Sequence, residues 1–366
     1  MIVSKVSISG FRNIVAANVS PSPSLNLIVG DNGCGKTSFL ESVFVLGVGR
    51  SFRTTSIKNV IRSDSDSAFV YGELKDGSGV KKDQGVEVGQ RGKIRARQNG
   101  ESVSSASKLA ESFPVQLINS DTFQLLDGGP KYRRQYMDWG LFHVEHGYAE
   151  YWKRFNRSMK QRNRLLRYGK LAGLQQELKP WNLELSACAE QIDGLRQRHL
   201  QELAPLIEEK FQQMCLLPGL TVEYKPGWDC SVEYDKFLGQ NLERDRAAGF
   251  TKEGPHRADL VIKLDGLPAS ERLSRGQSKM LVCGLKLVQG DILAASRGLK
   301  TIYLVDDLPS ELDKDNRKIF LAQLLRSKGQ VFITAVEAGL IDINEPSGPD
   351  DVKVFHVKHG AFGEDN

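Results

Sequence analysis

The chemistry most legible in this chain lies in one run, Gly30-Asp31-Asn32-Gly33-Cys34-Gly35-Lys36-Thr37, which fits GxxxxGK[ST] at every position. Glycines at these spacings let backbone N–H groups wrap phosphate oxygens without a Cβ in the way. Lys36 reaches the β/γ oxygens of a nucleoside triphosphate, and Thr37 offers a hydroxyl to Mg²⁺. An apolar run, Leu25–Val29, precedes the loop, and a helix pattern follows from Thr37 to about Leu46. Ser38 falls in that helix's first turn, where the dipole favours an anion. Residues 30–38 are therefore read as an ATP- or GTP-binding loop. Cys34 fills one of its free positions and is read as a small residue at a permissive site.

A nucleotide-hydrolysing site also needs carboxylates. Thr301-Ile302-Tyr303-Leu304-Val305-Asp306-Asp307 is an apolar strand pattern that delivers two at its C-terminal end, the end at which α/β proteins place their sites. Asp306 is read as the Mg²⁺ carboxylate and Asp307 as the group that polarises the attacking water. The plainer alternative is a pair of solvated acids capping a helix. Leu273-Ser274-Arg275-Gly276-Gln277 precedes another helix pattern. Ser274 can N-cap that helix and so make a second anion-binding terminus.

Strands and helices must hold these loops. The first 30 residues read as strands, and Ala68–Gln98 as antiparallel strands with an Asn99-Gly100 turn after them. VQLI at 115–118 is a further strand. Residues ~130 to ~215 read as helical. There Leu185, Cys188, Ile192, Leu195, His199 and Leu203 recur at intervals of three and four, as in an antiparallel helix pair. With ~25–30 residues per helix the arm would be about 40 Å long, and Pro205 is expected to kink or break its second helix. After Pro218 strands return: TVEY, DLVIKL, TIYLV and QVFIT, with a helix from Gln277 to about Ala295. VKVFHV is expected to close the sheet and FGEDN to fray. The expected fold class is α/β. A discontinuous head would span 1–125 and 218–366, with a mixed sheet around the phosphate loop and an antiparallel β part, and a helical arm would be inserted at 126–217.

At 366 residues, 40% hydrophobic and 26% charged, the chain has an ordinary globular composition, enough for roughly two domains. No apolar run reaches the ~18 residues of a membrane helix. The N-terminal residues lack a signal-peptide apolar region, so no membrane contact and a cytoplasmic location are expected. Five widely spaced cysteines suggest neither a disulfide framework nor a zinc ribbon. His143 and His146 have no companion ligands that would make them a metal site. The net charge is +5, yet Lys131–Lys170 alone carries 11 Lys/Arg against 3 Asp/Glu. A basic block on a near-neutral chain suits a polyanion such as DNA. The same stretch holds nine aromatics. Tyr148, Tyr151/Trp152, Phe155, Met159 and Leu166 fall at helical spacing, which favours a buried stripe over stacking on bases. Arg154, Arg157, Arg164 and Arg167 lie opposite, facing either DNA or plain solvent.

LSRGQ, about 30 residues before the acidic strand, resembles the signature motif of ABC-type ATPases. Over 230 residues separate it from the phosphate loop, more than a transporter subunit uses and fewer than a long SMC coiled coil. Phe11-Arg12-Asn13, the block Asp121–Asp138 with Gly128-Gly129-Pro130 and Arg133-Arg134, Gly254-Pro255-His256-Arg257 and Ser310-Glu311-Leu312-Asp313 together resemble the RecF family of SMC-like ATPases over essentially the whole chain. The resemblance implies an ABC-type head that binds ATP with Mg²⁺. Arg12 and Asn13 would lie near adenine and phosphates, and Ser274, Arg275, Gly276 and Gln277 would contact the γ-phosphate held by a second copy. It further implies an ATP-dependent homodimer on duplex or gapped DNA that works with RecO and RecR to load RecA, with slow, DNA-stimulated hydrolysis releasing DNA. Roles in DNA replication, repair, recombination and the SOS response, and binding to single-stranded DNA, belong to the same implication. The alternative is an SMC-like structural head that acts through protein partners. Four departures from the pattern stand out, one being Asp307 where many ABC-type proteins carry Glu. Ser120 replaces a usual proline. No histidine follows QVFIT, leaving Thr334 as the nearby polar residue. The glutamine that senses Mg²⁺ has only Gln116 as a candidate.

Overall fold

The computed structural model describes residues 1–75, 79–103, 105–170, 172–215, 217–341 and 352–364. By contact the chain divides into two units, Met1–Phe123 with Ser274–Asn366, and Gln124–Leu273.

The first unit opens with strands β1 (Ile2–Phe11), β2 (Ile14–Val19) and β3 (Leu25–Val29), then helix α1 (Lys36–Val48). Strands β4 (Ser67–Lys75), β5 (Lys81–Gly89), β6 (Ile94–Gln98) and β7 (Glu101–Ser102) follow, then helix α2 (Ala106–Glu111) and strand β8 (Val115–Ile118). Six of these strands make an antiparallel sheet in the order β2-β1-β4-β5-β6-β7. Asn99 and Gly100, both at positive φ, close the β6–β7 hairpin as the NG dipeptide predicts.

In the second unit, helices α3 (Gln124–Asp127), α4 (Pro130–Val144), α5 (Tyr148–Tyr168) and α6 (Leu174–Cys215) precede strand β9 (Leu220–Lys225). Helices α7 (Tyr234–Gln240) and α8 (Leu242–Ala248), strands β10 (Asp259–Leu264) and β11 (Leu267–Pro268), and helix α9 (Ala269–Arg272) complete it. The boundary expected at residue 217 lies elsewhere by contact: 218–273 groups with the helices. Strands β9, β10 and β11 do not extend the head's sheet but form their own, in the order β11-β10-β9, with β9 packed on α6 and β10 on α4. Helices α5 and α6 pair antiparallel, with Arg162 meeting Asn182 and Arg154 meeting Glu184. The aromatic stripe of α5 is buried as its spacing predicts: Tyr148, Phe155 and Leu166 lie inside, with Trp152 and Met159 packed against the core that holds Tyr148 and Phe155. The expected break at Pro205 does not occur. Helix α6 runs 42 residues through Pro180 and Pro205, about 63 Å, because Leu203, Ile207, Phe211 and Met214 keep one buried face on both sides of Pro205.

Two arginines are fully buried in this unit, and each is answered by partners. Arg162 donates to Asp245, Thr251, Asn182 and the Leu238 carbonyl. Arg196 donates to Asp138, the Tyr148 hydroxyl and the Pro255 carbonyl, with its guanidinium 5.1 Å from the Trp152 ring centre. The motif blocks noted in the sequence hold each other. Arg133 grips Asp259 with two nitrogens, at 2.7 and 3.1 Å, and Arg134 donates to the Ala258 carbonyl.

The chain returns to the first unit with helix α10 (Arg275–Arg297), strand β12 (Ile302–Val305), helices α11 (Leu308–Glu311) and α12 (Lys314–Arg326), and strands β13 (Gln330–Ala335), β14 (Val352–Lys358) and β15 (Ala361–Glu364). The second six-stranded sheet has the order β15-β14-β3-β13-β12-β8, parallel except for β15. Every residue of β3, β12 and β13 is buried, as continuous apolar strands covered on both faces require. Ala361–Glu364, expected to fray, instead closes a hairpin on β14 and rests Phe362 against Phe39 of α1. Gln330 joins the two large sheets: its amide accepts from Val3 N–H and donates to the Val3 carbonyl. No helix among the described residues is long and apolar enough to cross a membrane.

Candidate nucleotide site

The order β3-β13-β12 sets the geometry. The phosphate loop leaves the C-terminal end of β3 and the two acids leave the same end of β12. One strand separates them, so their strand ends stand about 10 Å apart. Helix α1 brings Thr37 across that gap, and its Oγ1 donates to Asp306 Oδ1 at 3.0 Å. Gly30 needs its φ of 148°, and a Cβ there would run into the Val357 carbonyl. Gly35, at φ 126°, lies against the Asn13 amide. Lys36 is 8% exposed, and its ammonium donates to the Gly30 and Asp31 carbonyls at 2.6 and 3.0 Å, bending over the loop. Asp31, Asn32 and Gly33 are exposed along it, Cys34 is buried, and Ser38 is buried in the first turn of α1. The Gly360 N–H, in the turn between β14 and β15, donates to the Cys34 carbonyl at 2.8 Å and so fastens the C-terminal hairpin to the loop.

Arg12 and Asn13 approach from the β1–β2 turn. Asn13 donates its amide to the Gly33 carbonyl. Arg12, at φ 53°, places Nε and Nη2 on the two oxygens of Glu41, at 2.9 and 2.8 Å. Glu41 is fully buried and also receives Ser51 Oγ and Arg53 Nη1, so one carboxylate of α1 anchors two segments, the β1–β2 turn and residues 51–53. A lone acid in an apolar helix was the sequence signal for Glu41. Arg53 had no local signal.

Burial pushes the Asp306 carboxyl above the usual range. Hydrogen bonds from Thr334 and Thr37 pull it down, the adjacent Asp307 pushes it up, and the charge of Arg53 favours the ionised form. Asp307 is held in the left-handed region, at φ 51° and ψ 49°, with Oδ2 accepting from Ser310 Oγ. Thr334 Oγ1 donates to Asp306 Oδ1 and accepts the Asp307 N–H, both at 2.8 Å. Gln116 lies elsewhere: it is buried within β8 and donates to the Lys286 carbonyl.

Two hard oxygens, from Thr37 and Asp306, thus converge. Among the described residues no three His, Cys, Asp or Glu side chains gather as a protein-only cage. That donor set fits Mg²⁺, which takes few protein ligands and fills its octahedron with phosphate oxygens and water.

Ser274, Arg275, Gly276 and Gln277 open α10. Ser274 accepts the Gln277 N–H, and Gln277 returns its side-chain oxygen to the Ser274 N–H, a complete capping box. The segment is tied to α11 and the start of α12, which follow Asp307. A Cβ on Gly276 would press on the Asn316 amide, and Lys279 donates to the Glu311 carbonyl and carboxylate at 2.7 and 2.9 Å. The phosphate loop, by contrast, heads α1, which packs on β1, β4, β5, β8 and β13. Arg12, Asn13, residues 30–38, Asp306 and Asp307 gather at one end of the parallel sheet, while Gly276 lies against Asn316 in the first turn of α12.

The family model for the RecF/RecN/SMC N terminal domain matches residues 2–360. A DNA replication and repair protein RecF of Stutzerimonas stutzeri (strain A1501) is 42% identical over 363 residues, covering 99% of this chain and 97% of that one. Its counterpart in Pseudomonas aeruginosa (strain LESB58) is 41% identical over 366 residues, covering 100% and 98%. Among solved structures, the recombination mediator RecF with ATP, of the RecFOR pathway, superposes with a TM-score of 0.87 at 23% identity, covering 100% of this chain and 98% of that one. An Smc head domain of Pyrococcus furiosus superposes with a TM-score of 0.59 at 16% identity, covering 100% and 96%, so the fold is that of an ABC-type, SMC-like head. The chain belongs to the RecF family, among proteins that share the RecF/RecN/SMC N-terminal domain.

Proposed function

We propose that this protein is an ATP-dependent DNA-binding protein of replication-gap and recombinational repair. ATP binds the 30–38 loop, with Lys36 on the β/γ oxygens and with Thr37 and Asp306 as the Mg²⁺ ligands. Bound Mg²⁺ would supply charge neutralisation at the phosphates. Two copies then assemble head to tail, so that Ser274–Gln277 of one meets the triphosphate of the other. The dimer holds duplex or gapped DNA and works with RecO and RecR in loading RecA. Asp307 orients the attacking water. Its side chain is one methylene shorter than glutamate, which suits slow turnover that times release. Weak ATPase activity stimulated by DNA follows from this arrangement.

The observation that carries the DNA reading is on α5. Lys153, Arg157, Lys160, Arg164 and Arg167 recur at intervals of four, three, four and three, which places all five along one line of the helix. That line lies opposite the buried stripe, and all five are exposed. It runs about 21 Å, and Lys153, Arg157 and Lys160 line a shallow groove of about 520 Å³ with Asn156 and Gln161. Arg154 is excluded, because Glu184 holds it with two hydrogen bonds.

The test replaces Lys153, Arg157, Lys160 and Arg164 by Gln and measures DNA affinity against salt concentration. The reading expects weaker binding and a slope reduced by roughly 0.9 for each phosphate that is no longer neutralised. An unchanged slope would favour the structural head acting through protein partners.

A further inference from the structure

Thr334 belongs to no motif that marks the site, yet it stands between the two acids. Strand β13 lies between β3 and β12, and its Ile333 pairs with Val305, the last residue of β12. The next residue on β13 therefore comes opposite Asp306. Thr334 is fully buried, and a hydroxyl has one proton to give and two lone pairs to receive. The proton goes to Asp306 Oδ1, the same oxygen that Thr37 addresses, and one lone pair takes the Asp307 N–H. Asp307 is a non-glycine residue in the left-handed region, a conformation that persists only where its surroundings hold it. It is held by the Thr334 hydroxyl on its N–H, by Ser310 Oγ on its carboxylate and by the Ser310 N–H on its carbonyl.

We infer that Thr334 is a positioning residue of the nucleotide site, one hydroxyl that aims the Asp306 carboxylate at Thr37 and fixes the backbone turn presenting Asp307. The inference rests on the proposed ATP and Mg²⁺ site, and it deepens that reading. It assigns to the strand interior the task of keeping both acids in register with the phosphate loop.

The test compares Thr334→Val, which keeps the shape and removes both hydrogen bonds, with Thr334→Ser, which keeps them. The first readout needs neither metal nor nucleotide. Hydrogen exchange at the Asp307 amide should quicken about tenfold or more in the valine protein, as expected for a missing hydrogen bond, and stay within about threefold of the parent in the serine protein. The second is the Mg²⁺ concentration that half-saturates binding of a fluorescent ATP analogue. It should rise about tenfold in the valine protein, while binding of the analogue in EDTA is unchanged in both variants. Turnover should fall in the valine protein and be restored in the serine protein. A valine protein matching the parent in exchange and Mg²⁺ half-point would overturn the inference, as would a serine protein as impaired as the valine one. Failure of the parent itself to bind the analogue would instead sink the ATP reading. If Thr334→Val does not fold, Thr334→Ala takes its place with the same expectations, and thermal melting separates a loss of stability from a loss of positioning.

Discussion

Lys36 sits on its own loop's carbonyls, so its ammonium is already poised over the concave side of the glycine turn. Replacing it by Ala should weaken ATP binding at least tenfold, the scale of a charge-assisted hydrogen bond, with the fold intact; calorimetric titration with ATP checks this. Ser274 offers the complementary experiment. Ser274→Arg should cost about 1 kcal/mol of stability through the lost cap and leave each chain's affinity for ATP within about twofold, while abolishing the proposed ATP-dependent dimerisation, which light scattering reads. A variant that still dimerises with ATP would refute the shared site. At this scale legibility follows sequence contiguity. Residues 30–37 and the 306–307 pair were readable because their chemistry is spelled out in adjacent positions. Glu41, Arg53 and Thr334 act through partners 12 to 29 positions away, and no local pattern marks such pairings.

Helix α6 shows how packing overrides a local rule. Pro205 is exposed, so its ring adds little to the core while removing a backbone hydrogen bond. Pro205→Ala should therefore raise stability by about 1–2 kcal/mol once the unfolded-state entropy of proline is allowed for, and urea unfolding measures it. The buried stripe of α5 and the strands β8, β10, β12 and β13 were legible because hydrophobic period reports burial directly. Where each strand would pair was not. DLVIKL reads as a strand anywhere, and only the packing of β10 on α4 and of β9 on α6 puts it in a sheet of its own. For the same reason the second boundary was expected near 218, when by contact it falls between Leu273 and Ser274. The break at Pro205 failed as an expectation because proline statistics are local and the stripe through Met214 is not.

For the whole molecule, one buried and one half-buried histidine set a limit on the acid side. Burial pushes His199 down to about 4, with both ring nitrogens unpaired. Burial also carries His256 to about 4, with the charges of Arg257 and Arg134 adding to it. Each takes up its proton at a higher pH when unfolded than when folded. Unfolding therefore gains protons between about pH 6.5 and 4, so stability is full above that window and falls as pH drops through it. Thermal unfolding at pH 7.5 and pH 5 should show the loss, and His199→Leu should lessen it while leaving stability at pH 7.5 little changed. The hairpin turn at Gly360 has a consequence of another kind. The loop that begins near residue 30 is braced by a backbone bond from residue 360, so about 330 further residues must leave the ribosome before the brace exists. At ~5–20 residues per second, a nascent chain spends tens of seconds with its phosphate loop made but unbuttressed. A chain stalled before residue 360 would therefore carry the loop without its brace.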